Sequence, residues 1–282
     1  MDRVLLGSET AKGGFANERA ICEKFNNWIE DNEAKEWLSI MGYDTDKLNS
    51  VEAIQIPNRI SKSDLEKYKI SEEEYSHYFK YQKADAQISI MIKIGKIVKM
   101  EYISLKKANR KADFNQIDKR TVDSYQEMWN FDEETAFWLK LFTGENIPEE
   151  FKLQIGEMNQ RDDRRLFMNE MPENIQKKIV NFFTDNRILI IGDIIKGRGG
   201  LSAGWMLVTR ENDDDLTTDW ILKDINTVMN FYGKGEVCIT RRGSLKIGKV
   251  TLQRKGGTPD PTKMQFKFKP CQLFELENNN GN

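Results

Sequence analysis

Apolar residues two apart run through QISIMIKIGKIVKMEYISLK, residues 87–106, with a Gly-Lys pair breaking the run near its middle. Alternation of this kind predicts two strands, 84 to 94 and 97 to 106, joined as a hairpin at Gly95-Lys96. Upstream, Ile21, Phe25 and Trp28 recur at helical spacing in TAKGGFANERAICEKFNNWIED, so residues 10 to 32 read as a helix. Residues 51 to 57 form a short strand candidate. The charged stretch that follows, 58 to 80, reads as a helical insertion.

Further along, FNQIDKRTVDSYQEMWNF and EETAFWLKLFTG read as two helices rich in aromatic residues. The polar run 144 to 165, ending in RDDRR, is the best internal boundary. It divides the chain into a region 1–160 and a region 161–276, leaving 277–282 as a disordered tail. The second region reads as a helix over 173 to 185, a strand RILIIGDII, a GRGG loop, a strand WMLVT and an RENDDD turn. A strand WILK, a helix INTVMNFYG and three strands separated by RRG and GGTPDP complete it. Strands alternating with helices predict an α/β fold with a mixed sheet.

With 39% apolar residues among 282, the chain can bury a sizeable core. No apolar run approaches the roughly 20 residues a spanning helix needs, and Met1 to Gly14 is too polar for a secretory signal, so a cytoplasmic protein without membrane association is expected. Cys22, Cys238 and Cys271 are odd in number and far apart, which fits neither a disulfide framework nor zinc-ligand spacing. His77 is the one histidine. That restricts Ser-His-Asp hydrolysis and histidine-metal sites and favours carboxylate and lysine chemistry.

The net charge of −2 argues against a polyanion partner, but its distribution argues for one. Nine Lys/Arg between Lys93 and Arg120 face three acidic residues, and ten between Lys234 and Lys269 face two. Two basic blocks on an acidic body suit a polyanion-binding cleft. Lysine is also common on solvated strand edges.

In the first hairpin, alternation places Asp85, Gln87 and Ser89 on one face, while Ser104 and Lys106 share a face of the return strand. Asp85 and Ser104-x-Lys106 thus converge at one end of a twisted hairpin. Glu18 precedes Ile21 by three and shares its inward face. A carboxylate there is costly unless partnered or set in a wet cleft, although a first-turn glutamate also gains from the helix dipole. Carboxylates beside a lysine are what metal-dependent phosphodiester hydrolysis needs: the acids hold Mg²⁺ and the lysine orients the attacking water. Such triples also arise by chance in strand-rich chains. In MQFKFKP, alternation turns Met264, Phe266 and Phe268 inward and Gln265, Lys267 and Lys269 outward. GRGG lacks the GxxxxGK[ST] form of a nucleotide loop.

LGSETAKGGFANE, Asp85, Ser104-Leu105-Lys106, FNQIDK, YQEMW, RRLFM, IIKGRGG, ITRRGS, VTLQRKGG and MQFKFKP-x-x-LFEL together span nearly the whole chain. On these stretches the chain resembles the PD-(D/E)XK nuclease superfamily and, within it, the monomeric MspI-like type II restriction endonucleases, the GCGC cutters above all. The resemblance implies a restriction-endonuclease-like core flanked by helices, with a second, strand-rich half for DNA recognition. It implies Mg²⁺-dependent hydrolysis of double-stranded DNA at a short palindrome such as GCGC. Asp85, the Leu105 carbonyl and Glu18 would serve the metal and Lys106 the water. Ser104 stands where most of the superfamily has an acid and these relatives an amide. Gln116, Gln265 and Lys267 fall at base-reading positions, and Lys119, Arg120, Arg198, Arg241, Arg242, Arg254 and Lys255 are expected against DNA as well. A cognate DNA methyltransferase and a monomer, or two copies associating on DNA, are the implied partners. The TPDPTKM loop is shorter than in the GCGC-cutting relative, and 58 to 80 is an addition. Ser104, a neutral hydroxyl, keeps open the alternative of a sequence-specific DNA-binding protein that does not cut.

Overall fold

The hairpin is where the architecture starts, and the computed structural model describes it together with most of the chain: residues 16–56, 62–68, 71–73, 75, 87–108, 114–211, 218–256 and 261–278. In chain order the strands are β1 (Ser50–Gln55), β2 (Gln87–Ile94), β3 (Ile97–Ala108), β4 (Asn115–Arg120), β5 (Trp205–Glu211), β6 (Thr218–Asp224), β7 (Val237–Ile239), β8 (Leu245–Ile247), β9 (Val250–Arg254) and β10 (Met264–Phe268). The longer helices are α1 (16–26), α2 (Asn32–Ile40), α3 (Val122–Trp129), α4 (Glu133–Thr143), α5 (Glu173–Asp185), α6 (Arg187–Ile195) and α7 (Ile225–Gly233). Among the described residues no helix is long and apolar enough to cross a membrane.

One sheet has the order β1-β2-β3-β5-β6 and the other β4-β10-β9-β8-β7. In the first, β3 and β5 run parallel and the remaining pairs antiparallel, so the sheet is mixed as expected. Ile94 pairs with Ile97 across the hairpin turn, where Gly95 takes the positive φ of 57° that the turn demands. The second sheet is wholly antiparallel.

Helix boundaries follow local chemistry. Asp31, Thr121, Asp132 and Asp224 cap α2, α3, α4 and α7 by accepting backbone N–H bonds. Asp132 also meets Lys178, whose ammonium, with the capping N–H, draws its carboxyl down to about 2. α5 buries Ile175, Ile179 and Phe183, one stripe at four-residue spacing.

Three expectations are corrected. RILIIGDII is helix α6, not a strand: Ile190, Ile191, Ile194 and Ile195 are buried at helical spacing while Ile188 and Leu189 face solvent. FNQIDKR opens as strand β4, because its backbone pairs with β10, and only the following VDSYQEMW is helical. SLKIGKVTLQR is two strands, split at Gly248; a Cβ there would stand 2.6 Å from the Tyr232 carbonyl oxygen. Each sheet takes strands from both sides of residue 160, so that boundary does not separate the sheets.

The first sheet has a core on each face. Val51, Ala53, Ile88, Ile90, Ile92, Ile103, Leu105 and Leu207 pack against Ile21 and Phe25 of α1 and Trp37 and Leu38 of α2. Cys22 lies in this core, where burial pushes its thiol up to about 12; all three cysteines are free thiols. The larger core joins Ala108, Met206 and Val208 of the first sheet to α3–α7 and to Phe266 and Phe268 of the second.

Candidate active site

In β3, Ile103 and Leu105 turn toward α1 and α2, so Ser104 and Lys106 occupy the opposite face. Gln87 pairs directly with Ser104 across the β2–β3 ladder, and Ser89 with Tyr102. Gln87 and Ser104 are 0% exposed and Ser89 1%. Yet both amide atoms of Gln87 and the hydroxyls of Ser89 and Ser104 have no hydrogen-bond partner. An unpartnered buried polar group destabilises by about 1–3 kcal/mol. Four such atoms on one patch of one face are not explained by packing. An amide oxygen and two hydroxyls are hard oxygen donors of the kind Mg²⁺ accepts.

Lys106, 6% exposed, ends this row, its Nζ 3.5 Å from the carbonyl oxygen of Gln116. Asn115 Nδ2 donates to the Lys107 carbonyl at 2.9 Å, which fastens the start of β4 to the end of β3. The β4–β10 register then slips: Phe266 pairs with Asp118 but Lys267 with Gln116, so Ile117 is an extra residue in β4. Ile117 is fully buried. A bulge of this kind re-aims side chains, and here it brings Gln116 and Lys119, three apart, onto the face of Gln265 and Lys267.

Three glutamines cross that face. Gln265 Nε2 donates to Gln116 Oε1 at 2.7 Å, and Gln253 Nε2 donates to Gln265 Oε1 at 3.4 Å. Met264, Phe266 and Phe268 point into the core as alternation predicts, but Gln265, expected to be open, is only 2% exposed because its neighbours cover it. Gln253 was not among the predicted residues; its place opposite Gln265 depends on a strand pairing that sequence does not disclose. Burial lowers the Lys267 ammonium below the usual lysine value, and burial lowers Lys255 too, with help from Lys119 and Lys267. Lys119 and Lys267 thus both act on Lys255 across one polar face. Such a face is matched to a polyanion, and lysine and glutamine there have the donors to read base edges.

The remaining predicted residues divide. Lys119, Arg241 and Arg242 are exposed. The last two sit on the β7–β8 turn, where Gly243 has φ 78° and presses too closely on Phe167 and Asn169 for any side chain. Arg120, Arg198 and Arg254, expected against DNA, have their guanidinium groups engaged within the protein. Arg120 Nε donates to Asp118 at 3.1 Å. Arg198 donates to both oxygens of Asp193, at 2.8 and 2.6 Å, and to the Met128 carbonyl at 3.0 Å, while Trp129 Nε1 donates to Asp193 at 2.9 Å. Arg254 Nε donates to the Pro261 carbonyl at 2.9 Å.

Glu18 is buried, as its inward position predicts, and its Oε2 accepts from Gln55 Nε2 at 3.3 Å. Gln55 shares a strand face with Val51 and Ala53, which pack on α1. Glu18 therefore belongs to the helix on the face of the sheet opposite to the one that carries Ser104 and Lys106. The Leu105 side chain points to that same α1 core. Asp85 lies outside the described residues, as does His77. Among the described residues no group of three or more His, Cys, Asp or Glu is placed to hold a metal.

Comparison with known proteins bears on this geometry. The sequence profile of one family, described as R.HinP1I restriction endonuclease, matches residues 69–274. No curated protein matches the chain by sequence. A solved structure of restriction endonuclease MspI in complex with its cognate DNA superposes with a TM-score of 0.54 at 12% identity, covering 89% of this chain and 87% of that one. At that identity the likeness establishes the fold: the α/β restriction-endonuclease architecture.

Proposed function

The chain belongs to the R.HinP1I restriction endonuclease family of site-specific deoxyribonucleases, and from that premise we propose a Mg²⁺-dependent type II enzyme that cuts double-stranded DNA at the palindrome GCGC. The observation that carries this reading is the approach of Lys106 to Gln116, which sets a buried lysine beside the polar face of the second sheet. Mg²⁺, when bound, would offset charge on the scissile phosphate and ease deprotonation of a water. Ser104 and Asp85 would hold it, Asp85 as the acidic ligand implied by sequence. Lys106 Nζ would orient the attacking water by hydrogen bonding and stay protonated beside the phosphate.

Gln116 and Lys267 would contact base edges in the major groove, where lysine pairs with O6 and N7 of guanine, suiting a GC-only site. Lys119, Lys255, Arg241 and Arg242 would meet phosphates. One chain holds one such site, whereas a palindrome has two equivalent scissile bonds. A monomer would therefore nick each strand in turn, or two copies would associate on the DNA. A methyltransferase of the same specificity would protect the cell's own sites, in the cytoplasm where both work.

Digestion of a plasmid of known sequence with Mg²⁺, followed by sequencing of the fragment ends, tests the reading. Discrete ends within GCGC support it. Tight binding to an intact plasmid would instead favour a protein that recognises DNA without cutting it.

A further inference from the structure

Gln87 has no part in the reaction proposed above, and it is the most anomalous polar side chain on the first sheet. Buried amides are ordinarily paired, yet Gln87 is fully buried with its oxygen and nitrogen both unpartnered. Its neighbours sharpen the anomaly. The other orphaned buried groups among the described residues, on Trp37, Tyr125 and Arg165, are scattered singly through the molecule. Gln87, Ser89 and Ser104 are adjacent: Gln87 faces Ser104 across the ladder and precedes Ser89 by two on its own strand. Elsewhere, among the described residues, buried Thr209 Oγ1 donates to Asn17 and buried Glu18 accepts from the half-buried Gln55 of this sheet. Orphans that cluster point to a shared occupant.

The chemistry of the patch narrows that occupant. Its lining offers an amide oxygen and two hydroxyl oxygens, with the Lys106 ammonium two residues beyond Ser104. These oxygens are neutral donors of the kind that a single hard cation with part of its water shell takes as ligands. Resting on the nuclease reading, we infer that Gln87 supplies the amide oxygen that holds the divalent cation over Ser104. The neutral ligand of the site is then shared across two strands, with the longer reach coming from β2.

A ligand held in this way should destabilise the metal-free fold, since sites built for binding carry strain that binding relieves. This separates the proposal from a structural role. Gln87→Leu and Gln87→Met fill the same space without polar atoms. Without metal, both variants are expected to melt at or above the temperature of the parent. Calorimetric titration with Mn²⁺ should show affinity reduced by at least the roughly tenfold that loss of even an outer-shell partner brings, and the rise in melting temperature given by Mn²⁺ should vanish. Gln87→Glu, which keeps an oxygen, should restore binding. Variants that bind Mn²⁺ like the parent, or that melt well below it without metal, overturn the assignment. If the parent itself neither binds Mn²⁺ nor cuts DNA, the nuclease reading falls. If the parent cuts and the Leu and Met variants still bind the ion, only the role of Gln87 falls.

Discussion

Lys106 Nζ stands 3.5 Å from the main-chain carbonyl of Gln116, a contact that joins a strand of the first sheet to a strand of the second. Lys106 belongs to the strand that carries Ser104, and Gln116 follows Asn115 at the start of the bulged strand, at one end of the glutamine row. Together with the 2.9 Å bond from Asn115 to the Lys107 carbonyl, the contact ties the end of β3 to the start of β4.

Lys106→Ala should therefore abolish cleavage while leaving binding largely intact. A positioned donor at a developing charge is worth about 10² to 10³ in rate, so Mg²⁺-supported digestion should fall at least that far. A gel shift run without metal should show DNA retained. Loss of binding to the same degree as cutting would mean that the lysine is only a structural support for β4.

The row Gln253, Gln265, Gln116 orients the outermost amide through its neighbour. Gln265→Leu should leave the protein folded but relax discrimination at the base that Gln116 reads. A good bidentate base contact discriminates by about 1–3 kcal/mol. Preference for the cognate site over a single-base variant should thus drop about tenfold or more, read from competitive digestion of two oligonucleotides. The salt dependence of binding should stay as in the parent, because no phosphate contact is touched.

Lys255 and Lys267 predict opposite pH trends for folding and binding. Their folded-state values lie below 10.5, so in the window just beneath it the unfolded chain binds more protons than the folded one. Stability of the free protein should rise with pH across that window. DNA affinity should fall over the same window, as the ammonium groups lose the charge that holds DNA. Urea melts and fluorescence anisotropy from neutral pH to just below 10.5 check both slopes, and Lys267→Met should flatten each.

The arginines separate into braces and contacts. Asp193→Ala strips partners from Arg198 and from the Trp129 indole. With Arg198 partly exposed, it should destabilise by about 2–3 kcal/mol, seen by chemical denaturation, with the salt slope of DNA binding unchanged. Arg241→Ala and Arg242→Ala should do the converse, leaving stability unaltered and lowering that slope by roughly one each.

Where one period dominated, sequence and structure agree. The β2–β3 hairpin, the α5 stripe and the helix INTVMNFYG follow directly from spacing. RILIIGDII misleads because a run of β-branched residues fits a buried strand as well as a helix apolar on most sides, and only its packing decides. FNQIDKR misleads for the reverse reason: its strand exists because β10 lies beside it. Ser104 and Lys106 were legible as a pair, two apart on one strand. Gln253 and the orphaned state of Gln87 were not, since each depends on which residue stands opposite on another strand. Glu18 was legible as sharing the face of Ile21, but only the sheet reveals which of its faces α1 covers.

The bond from Gln265 to Gln116 joins residues 149 positions apart. On the ribosome, β4 emerges early and waits, its hydrogen-bonding edge unpaired, until β10 follows some 150 residues later. Pairings of such long range form late and slowly. The polar face that Gln116, Gln265 and Lys267 share is consequently among the last pieces of the molecule to exist, and a half-made chain carries Lys106 before that face has formed.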